Sequence, residues 1–307
     1  MKFGAIIVTY NRIELLKECI DCCYQQSLSF ENIVVINNAS TDGTKEYLKE
    51  LELEKDNIKC ITLNENIGGA GGFYTGIKEI LEYDIDYVLL IDDDAMICEN
   101  YIDTINNYIQ ICKLPAYSGT VMCDDKIQYD HRKYLYKNYK LLESKDNDYM
   151  KKFFDYDIST FCGVVIDVKI IKKIGLPEKD FFIWFDDFEY SLRLNVYGKI
   201  RNINSIYLNH KTKLNQVQSY NWKSYYGLRN ELYIIKKYFS RNIYFKKLIE
   251  MKKIIVLGKI AAKLKNDNYY YQIANMYNDA IYDAKNNNLG KNDKYLPGLK
   301  FEKRQVL

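Results

Sequence analysis

The chain has 307 residues, of which 28% are charged and 48% hydrophobic, and a formal net charge of +3. These values describe a globular protein of one large domain, or one domain with an appendage, and three prolines with fifteen glycines argue against long disordered linkers. No apolar run reaches the roughly 18–20 residues needed to cross a bilayer, and Met1-Lys2-Phe3-Gly4 leads directly into a strand without a signal-peptide core, so a cytoplasmic protein is expected.

Phe3 to Thr9 reads as an apolar strand, and Tyr10-Asn11-Arg12 as the turn after it. Asn11 is placed to cap the next helix, whose Ile13, Leu16, Cys19, Ile20 and Cys23 fit a helical stripe. Cys19, Cys22 and Cys23 share a face of that helix. No Cys/His pair at zinc spacing follows, so they read as buried reduced thiols rather than the start of a metal site. Ile33 to Ile36 is a second buried strand, ending in the polar turn Asn37-Asn38-Ala39-Ser40-Thr41-Asp42-Gly43-Thr44. A helix over 43–53 and a third strand from Ile58 to Leu63 follow.

Asn66-Ile67-Gly68-Gly69-Ala70-Gly71-Gly72-Phe73 places four glycines within five residues, which lets backbone approach backbone or ligand closely. The run leads into a helix through Tyr74, Ile77, Ile80 and Leu81. A glycine turn at a helix start can bind an anion, and a tight turn that packs the helix on the sheet is the plainer alternative. It matches neither a Walker loop nor the dinucleotide fingerprint.

Tyr87-Val88-Leu89-Leu90-Ile91-Asp92-Asp93-Asp94-Ala95 is the central stretch. A buried strand ends abruptly in three carboxylates, at the end of the sheet where open α/β folds bind ligands. Strand alternation aims Asp92 and Asp94 at one site and Asp93 elsewhere. Converging carboxylates repel unless a cation lies between them, and hard oxygen ligands suit Mg²⁺ or Mn²⁺ shared with phosphates. An acidic surface turn is the plainer alternative.

Ile102 to Ile111 reads as a helix and Ala116 to Met122 as a strand. Residues 124–155 are polar and poorly periodic, an insertion that either touches substrate or forms surface. A strand from Thr160 to Val168 precedes a short helix over Lys169–Gly175. Then Phe181-Phe182-Ile183-Trp184-Phe185-Asp186-Asp187 brings aromatics to a second acidic cluster at a helix start. The helix runs to Gly198, with Glu189 and Arg193 as an i, i+4 pair. First-turn carboxylates also favour the helix dipole on structural grounds alone. Lys199 to Leu208 is a strand that ends at Asn209-His210.

From 221 to 289 the strand pattern gives way to helices. Residues 236–265 carry ten Lys/Arg and one acid, a net +9 that leaves −6 for the remainder of the chain. With interleaved Ile, Leu, Phe and Tyr, this stretch is read as facing an anionic membrane surface, over a nucleic-acid contact or a solvated bundle face.

Taken in order, Ile6-Ile7-Val8-Thr9-Tyr10-Asn11-Arg12, the Asn38 to Thr44 turn, Asp92-Asp93-Asp94 and Asp186-Asp187 resemble the inverting family 2 glycosyltransferases over residues 1 to about 240. The glycine run, Asp-Asp-Asp-Ala and the Trp before Asp-Asp look most like the galactofuranosyltransferase branch, with rhamnosyltransferases near it. The resemblance implies an α/β, GT-A (Rossmann-like) mixed sheet with helices on both faces over 1–220, and a basic helical region over 221–307. It implies that Thr9, Asn11 and Arg12 line the nucleotide pocket with Gly68, Gly69 and Asp93. Asn38 and Asp42 would lie near base and ribose. Asp92, Asp94 and His210 would hold Mn²⁺ or Mg²⁺. Asp187 corresponds to the catalytic base, Asp186 to an acceptor-positioning group and Trp184 to a sugar-stacking platform. Asn37 departs from the family, where many members carry Asp.

The implied partners are a nucleotide-sugar donor, best matched by UDP-galactofuranose, and a saccharide or lipid-linked acceptor of cell-surface polysaccharide synthesis. No nucleic-acid partner is expected. A dTDP-rhamnose-dependent enzyme is the alternative, with a non-catalytic nucleotide-sugar scaffold behind it. A sugar-1-phosphate nucleotidyltransferase is disfavoured, because Thr9-Tyr10-Asn11-Arg12 stands where its basic glycine-rich opening would be.

Overall fold

The computed structural model describes residues 1–212 and 220–301. The chain forms two compact units. The first contains Met1–Tyr136, Lys140–Lys179 and Asp187–Leu214; the second contains Lys137–Tyr139, Asp180–Asp186 and Asn215–Leu307. The chain thus passes twice to the helical unit and back before it enters it for good, and one of these crossings separates Asp186 from Asp187.

In the first unit, β1 (Phe3–Thr9), β2 (Asn32–Asn37), β3 (Ile58–Thr62) and β4 (Tyr87–Asp92) form parallel pairs. All seven residues of β1 are buried, as befits a strand covered on both faces. One face packs α1 (Ile13–Tyr24) and α2 (Thr44–Glu54) through Leu16, Cys19, Ile20, Leu48 and Leu51. The other packs α3 (Gly68–Ile80) through Phe73, Ile77 and Ile80.

The glycines lie inside α3 rather than in a turn before it. A Cβ at Gly72 would meet Val8 at 2.5 Å, and one at Gly76 would meet Ile6 at 2.3 Å. Glycine here lets the helix axis lie close to β1. Gly69 is different, because a Cβ there meets nothing within 4 Å.

After β4 come β5 (Ala95–Ile97), α4 (Tyr101–Ile111), β6 (Ala116–Cys123) and β7 (Lys126–Ile127). The stretch expected to be an irregular insertion is ordered. It folds as β8 (Arg132–Tyr136), β9 (Lys140–Glu143), α5 (Asp146–Tyr149), β10 (Phe153–Tyr156) and β11 (Ile158–Ser159). The fully buried Arg132 accounts for this: its guanidinium donates to the carbonyls of His131, Gly119 and Cys162, joining the insertion to β6 and the β12 approach. The 160–168 strand is shorter than expected, because Gly163 at φ +78° interrupts it before β12 (Val164–Asp167).

Then follow α6 (Val168–Ile174), α7 (Asp186–Leu194) and β13 (Ile200–His210). The main sheet has the order β10-β13-β6-β12-β4-β1-β2-β3. It is mixed, because β12 runs antiparallel to both β4 and β6. Short β5 pairs with the end of β13, setting His210 opposite Ala95. The second unit is built on α8 (Trp222–Tyr238), α9 (Arg241–Lys265) and α10 (Asn268–Asn286), around Tyr225, Tyr226, Met251, Ile273 and Met276. No helix among the described residues is long and apolar enough to cross a membrane.

Candidate active site

The acidic run does not follow strand alternation. β4 ends at Asp92, and Asp93 and Asp94 form the turn into β5. Asp93 therefore does not point away from its neighbours. It is fully buried, accepts a 2.6 Å bond from Thr9 Oγ1 and lies 2.5 Å from Arg12 Nη2. Arg12 Nη1 simultaneously pairs with Asp94 Oδ2. One guanidinium thus bridges two adjacent carboxylates that would otherwise repel, a task suited to its planar fork. Burial pushes Asp93 up to about 7 in spite of Arg12 and Thr9.

The pairing of β5 with β13 brings His210 to this turn, with Nε2 3.5 Å from Asp94 Oδ1. Burial opposes ionisation of both groups, but their mutual attraction outweighs it, so Asp94 is held below the usual carboxylate range and His210 is raised. Gln128 Oε1, 2.8 Å from His210 Nδ1, orients the ring, and His131 packs edge-on against it. The sequence reading missed Gln128, since nothing in its local pattern marks it. Asp92 is near enough to influence the charges of His210 and Asp187.

For a divalent cation the donors are chemically suitable: hard carboxylate oxygens and an imidazole. Asp94 Oδ1 is buried without a close hydrogen bond and faces His210 Nε2 at 3.5 Å, so the two are placed to ligate one cation together. The gathering is incomplete, however. Asp94 and His210 meet, but among the described residues no group of three His, Cys, Asp or Glu side chains is assembled for a metal ion.

The residues expected around the nucleotide hold the loops together. Asn11 does not cap α1; at φ +53° it turns its side chain to Thr41 N, 2.7 Å away. The cap comes from Asp42, whose Oδ2 accepts from Ile13 N at 3.0 Å. Asn38 is buried and bridges the second turn to the glycine helix, donating to Gly68 O and accepting from Ile67 N, both at 2.9 Å. Asn37 Oδ1 accepts from Ser40 N at 2.9 Å and closes the turn, a bond that a carboxylate at this position would also make. The C-terminal ends of β1, β2 and β4 with the start of α3 therefore form one cross-braced rim, with Gly69 open beside it.

Asp187 is half-buried in the first turn of α7, and its Oδ1 accepts from Phe188 N at 2.6 Å. Burial pushes its carboxyl up to about 6; the Phe188 bond and the charge of Lys133 work against that shift, while Asp92 adds to it. Glu189 and Arg193 form the expected i, i+4 pair, at 2.6 Å. Trp184 and Asp186 belong to the helical unit, where Trp184 is 39% exposed and Asp186 buried.

The model of the family described as "Glycosyl transferase family 2" matches residues 5–175, more than half of the chain. The chain belongs to glycosyl transferase family 2. Among curated relatives of this family 2 chain, dTDP-rhamnosyl transferase RfbF of Shigella flexneri is 25% identical over 209 residues, 65% of each protein. Galactofuranosyltransferase GlfT1 of Mycolicibacterium smegmatis is 29% identical over 91 residues, 30% of this chain and 29% of that one. The chain spans under two thirds of either relative. A crystal structure of GalNAc-T7 with UDP, GalNAc and Mn²⁺ matches with a TM-score of 0.64 and 13% identity, over 93% of this chain and 57% of that one. At that identity the likeness speaks for the GT-A-type fold of the family 2 glycosyltransferase.

Proposed function

We propose that the chain is an inverting, divalent-metal-dependent glycosyltransferase that moves a sugar from a nucleoside diphosphate to a hydroxyl of a saccharide or lipid-linked acceptor. The observation that carries this reading is the pairing of two acidic centres in one unit: the Asp94–His210 pair with Asp92 at the sheet end, and Asp187, raised by burial, on α7. Asp187 takes the proton from the acceptor hydroxyl as that oxygen attacks the anomeric carbon, and the nucleoside diphosphate departs from the opposite face. Asp94 and His210, with Asp92, would hold Mn²⁺ or Mg²⁺, which when bound supplies positive charge for the leaving diphosphate. Arg12 keeps the acidic turn folded. Thr9, Asn11, Asn38 and Asp42 keep the rim open for the nucleotide, with Gly68 and Gly69 at its edge. Trp184 offers a sugar platform and Asp186 positions the acceptor.

UDP-galactofuranose is the first donor to test, in keeping with the likeness to GlfT1. The longer match to RfbF favours dTDP-rhamnose as the second. The test is thermal unfolding with UDP, dTDP and GDP, each with and without Mn²⁺. A ligand at 100 times its dissociation constant adds about 2.7 kcal/mol to stability. The expected result is a metal-dependent rise with UDP alone. A rise with dTDP alone selects rhamnose, and no rise with any nucleotide overturns the transferase reading.

The acceptor side of this reading is an anionic membrane surface reached through residues 236–265. Supporting it, α9 is apolar on two faces. Leu248, Met251 and Ile255 are buried, while Phe245, Ile249, Val256 and Ile260 stand 46–57% exposed at spacings that share another face. Lys252, Lys253, Lys259 and Lys263 are exposed along the same helix. Each such lysine adds about 1 kcal/mol of attraction near an anionic leaflet. Replacing Lys252, Lys253 and Lys259 by glutamine is expected to weaken sedimentation with phosphatidylglycerol vesicles roughly 100-fold. Equal binding to neutral phosphatidylcholine vesicles would contradict the proposed surface.

A further inference from the structure

Phe182, Trp184 and Phe185 all have positive φ, at +66°, +64° and +72°. Bulky residues are genuine outliers there, and such strain persists only where surrounding contacts over-determine the backbone. The contacts come from one turn of α8. Asn230, fully buried, donates from Nδ2 to the carbonyls of Phe181 at 3.0 Å, Ile183 at 3.2 Å and Trp184 at 2.9 Å. Arg229, also buried, donates to the carbonyls of Asp180 at 3.2 Å, Phe181 at 3.1 Å and Gly290 at 2.6 Å. Its Nε donates to Asn230 Oδ1 at 2.9 Å, which fixes the amide orientation. Gly227 completes the socket: a Cβ there would lie 2.9 Å from Trp184 Cε3, so the indole rests against the helix backbone. Trp184 as a whole remains 39% exposed, and Asp186 and Asp187 follow in the chain.

We propose that Gly227, Arg229 and Asn230 are positioning residues of the transfer reaction, an inference that rests on the function proposed above. They hold a strained aromatic segment so that Trp184 presents a ring face to a sugar. A socket with this task governs turnover, not nucleotide affinity, because neither its side chains nor their acceptor carbonyls belong to the nucleotide rim.

The experiment follows hydrolysis of UDP-galactofuranose and of dTDP-rhamnose, with Mn²⁺, by release of the nucleoside diphosphate. It needs no acceptor. Asn230→Ala is expected to lower kcat at least 10-fold while the donor KM stays within twofold. Gly227→Ala keeps every hydrogen bond of the socket and only displaces the indole. In a Trp222→Phe background, it is expected to change acrylamide quenching of Trp184 at least twofold and to lower kcat in step. Should Asn230→Ala fail to fold, Gly227→Ala decides. Unchanged kcat with altered quenching, or kcat and donor affinity falling together, overturns the proposal. A wild-type protein that hydrolyses neither donor overturns the transferase reading itself, before any variant is compared.

Discussion

Replacing Asp187 by asparagine is expected to lower kcat by about 10²–10⁴-fold, the usual contribution of a positioned general base. Asparagine preserves the size of the side chain and can still accept the bond from Phe188 N. Binding of UDP with Mn²⁺, followed by thermal shift, is therefore expected to stay within twofold of wild type. The pH profile supplies a second readout. A base must be ionised to act, and burial raises the Asp187 carboxyl to about 6. Activity is expected to be full above neutral pH and to fall tenfold per unit below about pH 6, where an ordinary aspartate would hold its charge to about pH 4. Full transfer by Asp187→Asn, or an acid limb near pH 4, removes Asp187 from the role of base.

Replacing Arg12 by alanine is expected to cost about 2–3 kcal/mol of stability, read as a lower urea midpoint at unchanged slope. Breaking a buried ion pair commonly costs more, but the Arg12 side chain is 42% exposed and solvent screens part of its charge. Asp93 accounts for most of the loss, since among the described residues its fully buried carboxyl then keeps the Thr9 hydroxyl as its remaining side-chain hydrogen-bond donor. Lysine is expected to restore less than half of it, because a single ammonium cannot bridge Asp93 and Asp94 as the planar fork does. A loss under 0.5 kcal/mol would mean that water neutralises the acidic turn as well as Arg12 does.

Much of the first unit was legible without coordinates. Continuous apolar runs such as Phe3–Thr9 and Tyr87–Ile91 report burial on both faces, and the Leu16, Cys19, Ile20, Cys23 spacing reports a helix with one buried face. Both are local properties of the chain. The insertion was not legible. Its order depends on Arg132, which pairs with carbonyls 13 and 30 residues away and leaves no periodic trace.

The same division runs through the candidate site. The sequence by itself determined which groups end each strand: Asp92 to Asp94 after β4, His210 at the end of β13, and Asp187 in the first turn of α7. Tertiary structure decided what they meet. Arg12 reaches Asp94 across 82 positions because β1 and β4 are adjacent parallel strands, so both of their ends open on the same rim. His210 reaches Asp94 because three residues of β5 pair with β13, and so short a strand has no pattern of its own. Asn11, Asn38 and Asp42 are polar turn residues in the sequence. Only the folded rim shows that their hydrogen bonds go to neighbouring loops. Periodicity records how much of each element is buried, because burial acts on every residue of it. Partnership between distant side chains depends on strand order and register, which are settled by the packing of the whole sheet.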